Sequence, residues 1–381
     1  MMCSKRYRLC PNYEPTCRKI VDLETMKINV LPAAQLSAEH ISAWSQIQSS
    51  DQGLANPFLR PEFTLAVAAE RGGVDVVVLE QSGEAVGFLP FERARWKVGR
   101  AVGSYINQFQ GAVVRPDVTW DPRDAVMAAG LRSWRFDHLT ASQTAFDPYR
   151  YAAGDSAYLE LSQGFEHYQK ARGKSAAKAI SHIFQKDRKA GRELGEVRLE
   201  ANSADRAALD RLIRWKIDQC REKQVSCVYA IDWLARLHRR MLDYATPDFQ
   251  GMLFNLYMGD RPAAGLYCLR SGSMLQGSIL GYDRELGGYA PGFVLLMRVA
   301  QLANSLGIER ISLGKSDASY KSNIASACEQ VTEGTVLSRP SLAPFYRSWV
   351  RVRDRLRATP LRGPVRRMRR LMFNMGARVG N

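Results

Sequence analysis

The 381-residue sequence lacks most of the patterns that announce a function. Its seven cysteines, at 3, 10, 17, 220, 227, 268 and 328, contain no CxxC pair and are odd in number, which excludes zinc-finger spacing and a disulfide framework and suits a reducing compartment. The five histidines, at 40, 138, 167, 182 and 238, fall into neither HxH nor HExxH, so no catalytic metal is expected. Long apolar runs are also missing: APGFVLLMRVAQLA is broken by Arg298, and no spanning helix is expected. GxSxG, GxxxxGK[ST] and a GxGxxG between strand and helix are absent, which excludes elbow hydrolases, P-loop nucleotidases and dinucleotide enzymes. Acid is scarce in one region. From Arg347 to Asn381 eleven arginines face one acid, Asp354, so this stretch carries +10 of the total charge of +16.

What is present is a globular composition, 46% hydrophobic and 24% charged, with enough length for two cores of ordinary size. One pattern occurs twice. VDVVVLEQSGEAVGFLPFERARW reads as strand, turn, strand, and is followed by the helix PRDAVMAAGLRSW and the strand RFDHL. GMLFNLYMGDRPAAGLYCLR, PGFVLLMRVAQLANSLG and RISLG repeat that order about 175 positions later. The expected organisation is an N-terminal extension without fold role (1–25, with Met26 a candidate start), a first α/β domain (26–160), a basic helical linker (161–195), a second α/β domain (196–340) and a basic tail (341–381). Each domain is expected to be a mixed central sheet flanked by helices. The linker's Lys170, Arg172, Lys174, Lys178, Lys186, Arg188, Lys189 and Arg192 fit either a solvated helix face or a basic wall between the domains. Ser203 is placed to cap the helix that opens the second copy.

Candidate chemistry collects at strand ends in the second copy. YDRELGGYAPG ends a strand at Tyr282 and Asp283, turns at Gly287 and Gly288, and opens a helix at Pro291 and Gly292, where amides left free by the helix can meet phosphate. ISLGKSDASYK ends the next strand at Gly314 and places Asp317, Tyr320 and Lys321 on the turn after it. Acyl transfer needs a base, an oxyanion partner and an acid for the leaving group. Asp283 or Asp317 suits the first role, Lys321 the second and Tyr320 the third, while Asp317 equally suits a helix cap. At the matching ends in the first copy stand Asn107, Gln108, Gln110, Asp137 and His138, either contacts to an acceptor sugar or buried hydrogen-bonding residues.

Taken together, NPFLRPEF, VGFLPF, INQFQG, WRFDHL, YLELSQGFEHY, RLIRWKIDQCR, YDRELGGYAPG and SLGKSDASYK resemble the CelD/BioF2-like branch of the GNAT acetyltransferase superfamily, associated with bacterial exopolysaccharide and holdfast synthesis. This branch is similar in architecture to the Fem aminoacyl transferases, so the resemblance implies two tandem GNAT-like domains. It further implies transfer of an acetyl group from acetyl-CoA to an amine or hydroxyl of a sugar, with Arg284, Gly287, Gly288, Pro291, Gly292 and Gly314 on the donor and Trp215 and Lys216 among the acceptor contacts. RELGGY departs from the usual pyrophosphate loop, because Tyr289 stands where Gly or Ala belongs.

In the tail, Phe345, Trp349, Val350 and Leu356 alternate with basic residues. Arg347, Arg351, Arg353, Arg355, Arg366, Arg367, Arg369 and Arg370 suit a helix lying on an anionic membrane, and RVRD, including Asp354, could instead hold a cyclic dinucleotide. No specific nucleic acid is expected as a partner. The leading expectation is thus a cytoplasmic, peripherally membrane-associated acetyltransferase acting on an exopolysaccharide precursor. An aminoacyl-tRNA-dependent transferase and a non-catalytic platform are the alternatives.

Overall fold

A computed structural model of the chain describes residues 26–103, 105–171, 173–246, 248–315 and 324–339. The expected N-terminal extension, the turn bearing Asp317, Tyr320 and Lys321, and the basic tail lie outside them. The first half runs β1 (Lys27–Pro32), α1 (Ala38–Ser50), α2 (Pro61–Glu70), β2 (Val74–Gln81), β3 (Glu84–Ala94), β4 (Val98–Arg100), β5 (Val113–Val114), α3 (Pro122–Ala128), β6 (Ser133–Thr140) and β7 (Arg150–Glu160). Two helices follow, α4 (Gly164–Lys170) and α5 (Lys174–Leu194). The second half then repeats the plan: β8 (Val197–Glu200), α6 (Arg206–Glu222), α7 (Asp232–Leu242), β9 (Gln250–Met258), β10 (Arg261–Ser271), β11 (Met274–Tyr282), α8 (Pro291–Leu302), β12 (Arg310–Lys315) and β13 (Ala327–Leu337).

All thirteen strands belong to one mixed sheet, ordered β1-β2-β3-β4-β6-β13-β7-β12-β11-β10-β9-β8, with β5 attached to β3. Either side of the middle the order mirrors itself, β4 with β6 corresponding to β11 with β12. The last strand of each half crosses over. β7 pairs antiparallel with β12 of the second half, and β13 inserts between β6 and β7.

The unbroken apolar run of β2 reflects a strand covered on both faces. Val76 and Val78 enter one core while Val77 and Leu79 enter another. Its hairpin turns through Ser82 and Gly83, both at positive φ, as a tight two-residue connection requires. α1 is capped by Ser37, whose hydroxyl accepts the amide of His40 at 3.3 Å. The cap of α6 is Asp205, which accepts Ala207 N at 2.8 Å. Ser203, expected in that role, lies two residues too early and accepts Asp205 N at 3.3 Å instead.

The halves share a core. Trp44, Phe58 and Phe63 from α1, α2 and the turn between them pack in one cluster with Leu212, Leu237 and Tyr267 from the second half. Each such side chain contributes on the order of 1.5–3 kcal/mol by leaving water. Buried polar ties fix the alignment: Asn56 Nδ2 donates to Gln276 Oε1 at 3.1 Å, and Gln48 Nε2 to Ser271 Oγ at 3.3 Å. At the surface Glu70 of α2 binds Arg236 and Arg240 of α7.

The basic helix α5 is not a wall between the halves. It buries Ile180, Ile183 and Ala190, packs outward on α8, β8 and β9, and pairs Asp187 with Arg298 at 3.0 Å. Lys174, Lys178, Arg188, Lys189 and Arg192 therefore occupy a solvated face, because the apolar stripe had to turn toward the sheet.

Candidate functional site

In the second half the parallel strands β11 and β12 pair at only three positions, Met274–Arg310, Leu275–Ile311 and Gln276–Ser312. β11 continues to Tyr282 and β12 to Lys315, so the ladder parts toward their C-terminal ends. Ser278 sits where the register between β10 and β11 shifts, a bulge at the start of the opening. Two side chains reach its margin. Tyr229 Oη donates to the Ser278 carbonyl at 2.7 Å, and Lys216 Nζ donates to the Leu280 carbonyl at 3.3 Å. Burial is the main force lowering the Lys216 pKa, and burial likewise raises that of the Tyr229 phenol. α6 brings Lys216 this close because β11 carries Gly281, where a Cβ would stand 2.9 Å from Leu212 Cδ1.

The equivalent opening in the first half is filled by the chain itself. β4 and β6 pair in parallel from Val98–Ser133 to Arg100–Arg135. The intervening loop then returns at Gln110, whose amide donates to His138 O at 2.8 Å. The Gln110 side chain accepts the amides of Asp137 at 3.0 Å and His138 at 3.3 Å, and donates to Asp137 Oδ1 at 2.8 Å. Asn107 holds the same loop by donating to Val102 O and accepting Phe109 N, both at 2.9 Å. Both amides are buried and satisfied within the first half, Asn107 by its own loop and Gln110 mainly by β6.

Gln108, between them, instead reaches the second half. It lies against Gly314, where a Cβ would come within 1.6 Å of its Oε1. That oxygen is buried and has no hydrogen-bond partner among the described residues. Gly314 also has φ +72°, so glycine is required there for two reasons. Its neighbour Lys315 crosses the central strands, with Nζ 3.3 Å from Glu333 Oε1 and 3.4 Å from the Asp137 carbonyl. Asp137 also lies 2.9 Å from His138 Nδ1. Burial acts to raise the Asp137 pKa, but His138, Gln110 and the Lys315 charge outweigh it and hold the carboxyl below its usual range.

The donor-loop candidates are arranged around the start of α8. Asp283 caps the turn Arg284–Tyr289 by accepting Glu285 N at 3.0 Å, and its other oxygen binds Arg261 Nη2 at 2.7 Å, so this carboxylate is already engaged. Arg284 pairs with Glu222. Gly287 and Gly288 face open space. Phe293 N and Val294 N bond back to Ala290 O at 3.0 and 3.1 Å, which leaves Gly292 as the main amide available at the helix start. Tyr289, which breaks the expected loop pattern, donates to Glu193 of α5 at 2.8 Å, a sequence-distant partner that accounts for its presence.

The structure thus brings Gln108, Asp137, His138 and Gly314 to one seam and places Lys216 at the second-half opening. Trp215, beside Lys216 in sequence, lies with Arg211 over its ring at 5.8 Å. Sequence reading missed Lys315, Glu333 and Tyr229. Lys315 directly follows Gly314 and could have been included, whereas nothing in SCVYAID singles out Tyr229.

Residues 177–322 match the profile of a family described as "Acetyltransferase (GNAT) domain". No curated protein matches the chain significantly. Among solved structures, FemX is similar over 80% of this chain and 98% of its own, with TM-score 0.56 and 9% identity. The C-terminal domain of a putative lysylphosphatidylglycerol synthetase from Agrobacterium fabrum is similar over 80% and 93%, with TM-score 0.51 and 12% identity. At such identities the likeness is one of fold. The residues that match the profile, 177–322, hold the β11–β12 split.

Proposed function

We propose that the chain transfers an acetyl group from acetyl-CoA to an amine or hydroxyl of a sugar in bacterial exopolysaccharide synthesis, and that the second half holds the donor. One observation carries the assignment of halves: the split between β11 and β12 is open along Gly277–Tyr282, whereas the corresponding place in the first half is occupied by Gln110 and its loop. Acetyl-CoA would supply the acyl group as a thioester. The chain would contribute positioning and proton handling. Lys216 and Tyr229 already donate to backbone carbonyls in the opening, and either can turn its donor toward a ligand oxygen there. Gly287, Gly288 and Gly292 offer close approach for the donor's phosphates. Lys321, Tyr320 and Asp317 remain our candidates for oxyanion stabilisation, leaving-group protonation and base. His138 and Gln108, on the first half's side of the seam, suit acceptor contacts.

The test is mass-spectrometric detection of acetyl transfer to glucosamine-containing oligosaccharides, with Lys216→Met and Lys321→Met compared with the parent chain. Loss of a donor that acts in the transition state costs on the order of 10²-fold in rate. Undiminished transfer by both variants would remove these lysines from the mechanism. A second reading, transfer from aminoacyl-tRNA, draws on the basic face of α5 flanking Tyr289 at the donor loop. It predicts incorporation of a labelled amino acid from charged tRNA and none of acetyl. The arginine-rich tail is proposed to hold the protein at an anionic membrane, or to take a cyclic dinucleotide. Pelleting with anionic vesicles before and after removal of residues 340–381 separates these possibilities.

A further inference from the structure

At the other end of the β11–β12 ladder lies a cleft of about 540 Å³, within the size range of small-ligand sites. It gathers the ends of β6 and β7 and the starts of β11, β12 and β13, and the turn after α1 adds Gln52, Gly53 and Ala55 to its lining. Both halves therefore build it. Its charged lining is three carboxylates, Glu160, Glu309 and Glu329, against one cation, Arg310. Arg310 is shared: Nε donates to Glu160 Oε2 at 3.0 Å, the guanidinium lies over Tyr158 at 4.7 Å, and its charge partly offsets the burial that raises the Glu329 pKa. Among the described residues Glu309 accepts a neutral hydroxyl, that of Ser273, at 3.0 Å. One carboxylate oxygen of Glu329 is buried with no hydrogen-bond partner among the described residues. The rest of the lining is hydroxyl, amide and small apolar surface, including Thr140, Gln330 and Phe109.

Carboxylates that outnumber cations three to one, set among hydroxyls and amides, suit a ligand that is both cationic and rich in hydroxyls. We propose that this cleft binds an amino sugar in its ammonium form, as one unit of a glycan. The cleft touches the ladder at Met274 and Arg310, and the split opens after Gln276 and Ser312. That is two residues, or about 7 Å of strand. The spacing suits a glycan chain held at one unit while another reaches the donor; this role rests on the acetyl transfer proposed above, but the binding itself does not.

The test is calorimetry on the full chain without any donor. A glucosamine trimer should bind at least about tenfold more tightly than the neutral glucose trimer or the N-acetylated trimer, the gain expected of one charge-assisted contact. Glu329→Gln should weaken glucosamine-trimer binding by about the same factor, and Glu309→Gln, at the more exposed rim, serves if the first variant fails to fold. Equal affinity for charged and neutral trimers, or full affinity in both variants, would overturn the proposal. Tight glucosamine binding with no acetyl transfer under any donor would leave the cleft assigned and overturn the functional reading instead.

Discussion

His238 is fully buried on α7, with Nδ1 2.6 Å from the Leu234 carbonyl and Nε2 3.3 Å from Ser278 Oγ. Nδ1–H donating to the carbonyl leaves Nε2 to accept from the serine, so the neutral ring satisfies both partners. Burial, partly opposed by the Leu234 carbonyl, lowers its pKa from 6.5 to about 4. The unfolded chain thus binds the proton more readily than the folded one. The contribution to stability is complete above pH 6.5 and is lost as pH falls toward 4, about 3 kcal/mol in all. Urea midpoints at pH 7 and pH 4.5 should differ by less in His238→Gln than in the parent chain. Gly314 offers a second test. Gly314→Ala should cost about 1–3 kcal/mol through positive φ and the clash with Gln108. Adding Gln108→Ala should recover the steric share only, so a double variant no more stable than Gly314→Ala would contradict the contact.

At the scale of elements, strand periodicity and turn chemistry were enough to place the hairpins on either side of Ser82-Gly83 and of Gly259-Asp260, and Pro291 marked the start of α8. The seam was half legible. Gly314 and the first-half amides stood out in the sequence as strand-end residues, but their meeting depends on a contact between positions 108 and 314. Nothing in either stretch encodes that pairing locally. The same limit separates Gln108 from Asn107 and Gln110. All three are amides in INQFQG, yet two are satisfied within the first half and one faces the other half. α5 was ambiguous for a different reason: its charges are the same whether the helix stands between the halves or outside them, and only its buried Ile180 and Ile183 decide.

For the whole molecule, repetition of the element order was visible in the sequence, but the crossing of β7 and β13 was not. Reading each repeat as ending at RFDHL or RISLG leaves both of these strands out. Their partners are set by the meeting of two edges, β6 and β12, that each leave a place beside them. The shared core around Trp44 and Leu212 works in the same direction. We therefore expect one cooperative unfolding transition, with fluorescence and far-ultraviolet circular dichroism giving coincident midpoints in urea. Two resolved transitions would show that the halves are energetically separate despite the exchanged strands.

The position of β13 has a consequence for synthesis. β6 and β7 are complete by residue 160, yet the strand that lies between them spans Ala327–Leu337. A ribosome making about 5–20 residues per second needs roughly 10–30 seconds to cover that interval. Throughout it, the nascent first half presents two unsatisfied strand edges facing one gap, the kind of surface that recruits foreign strands. Completion of the central sheet therefore waits for β13, which seals it from the middle long after both neighbouring strands have emerged.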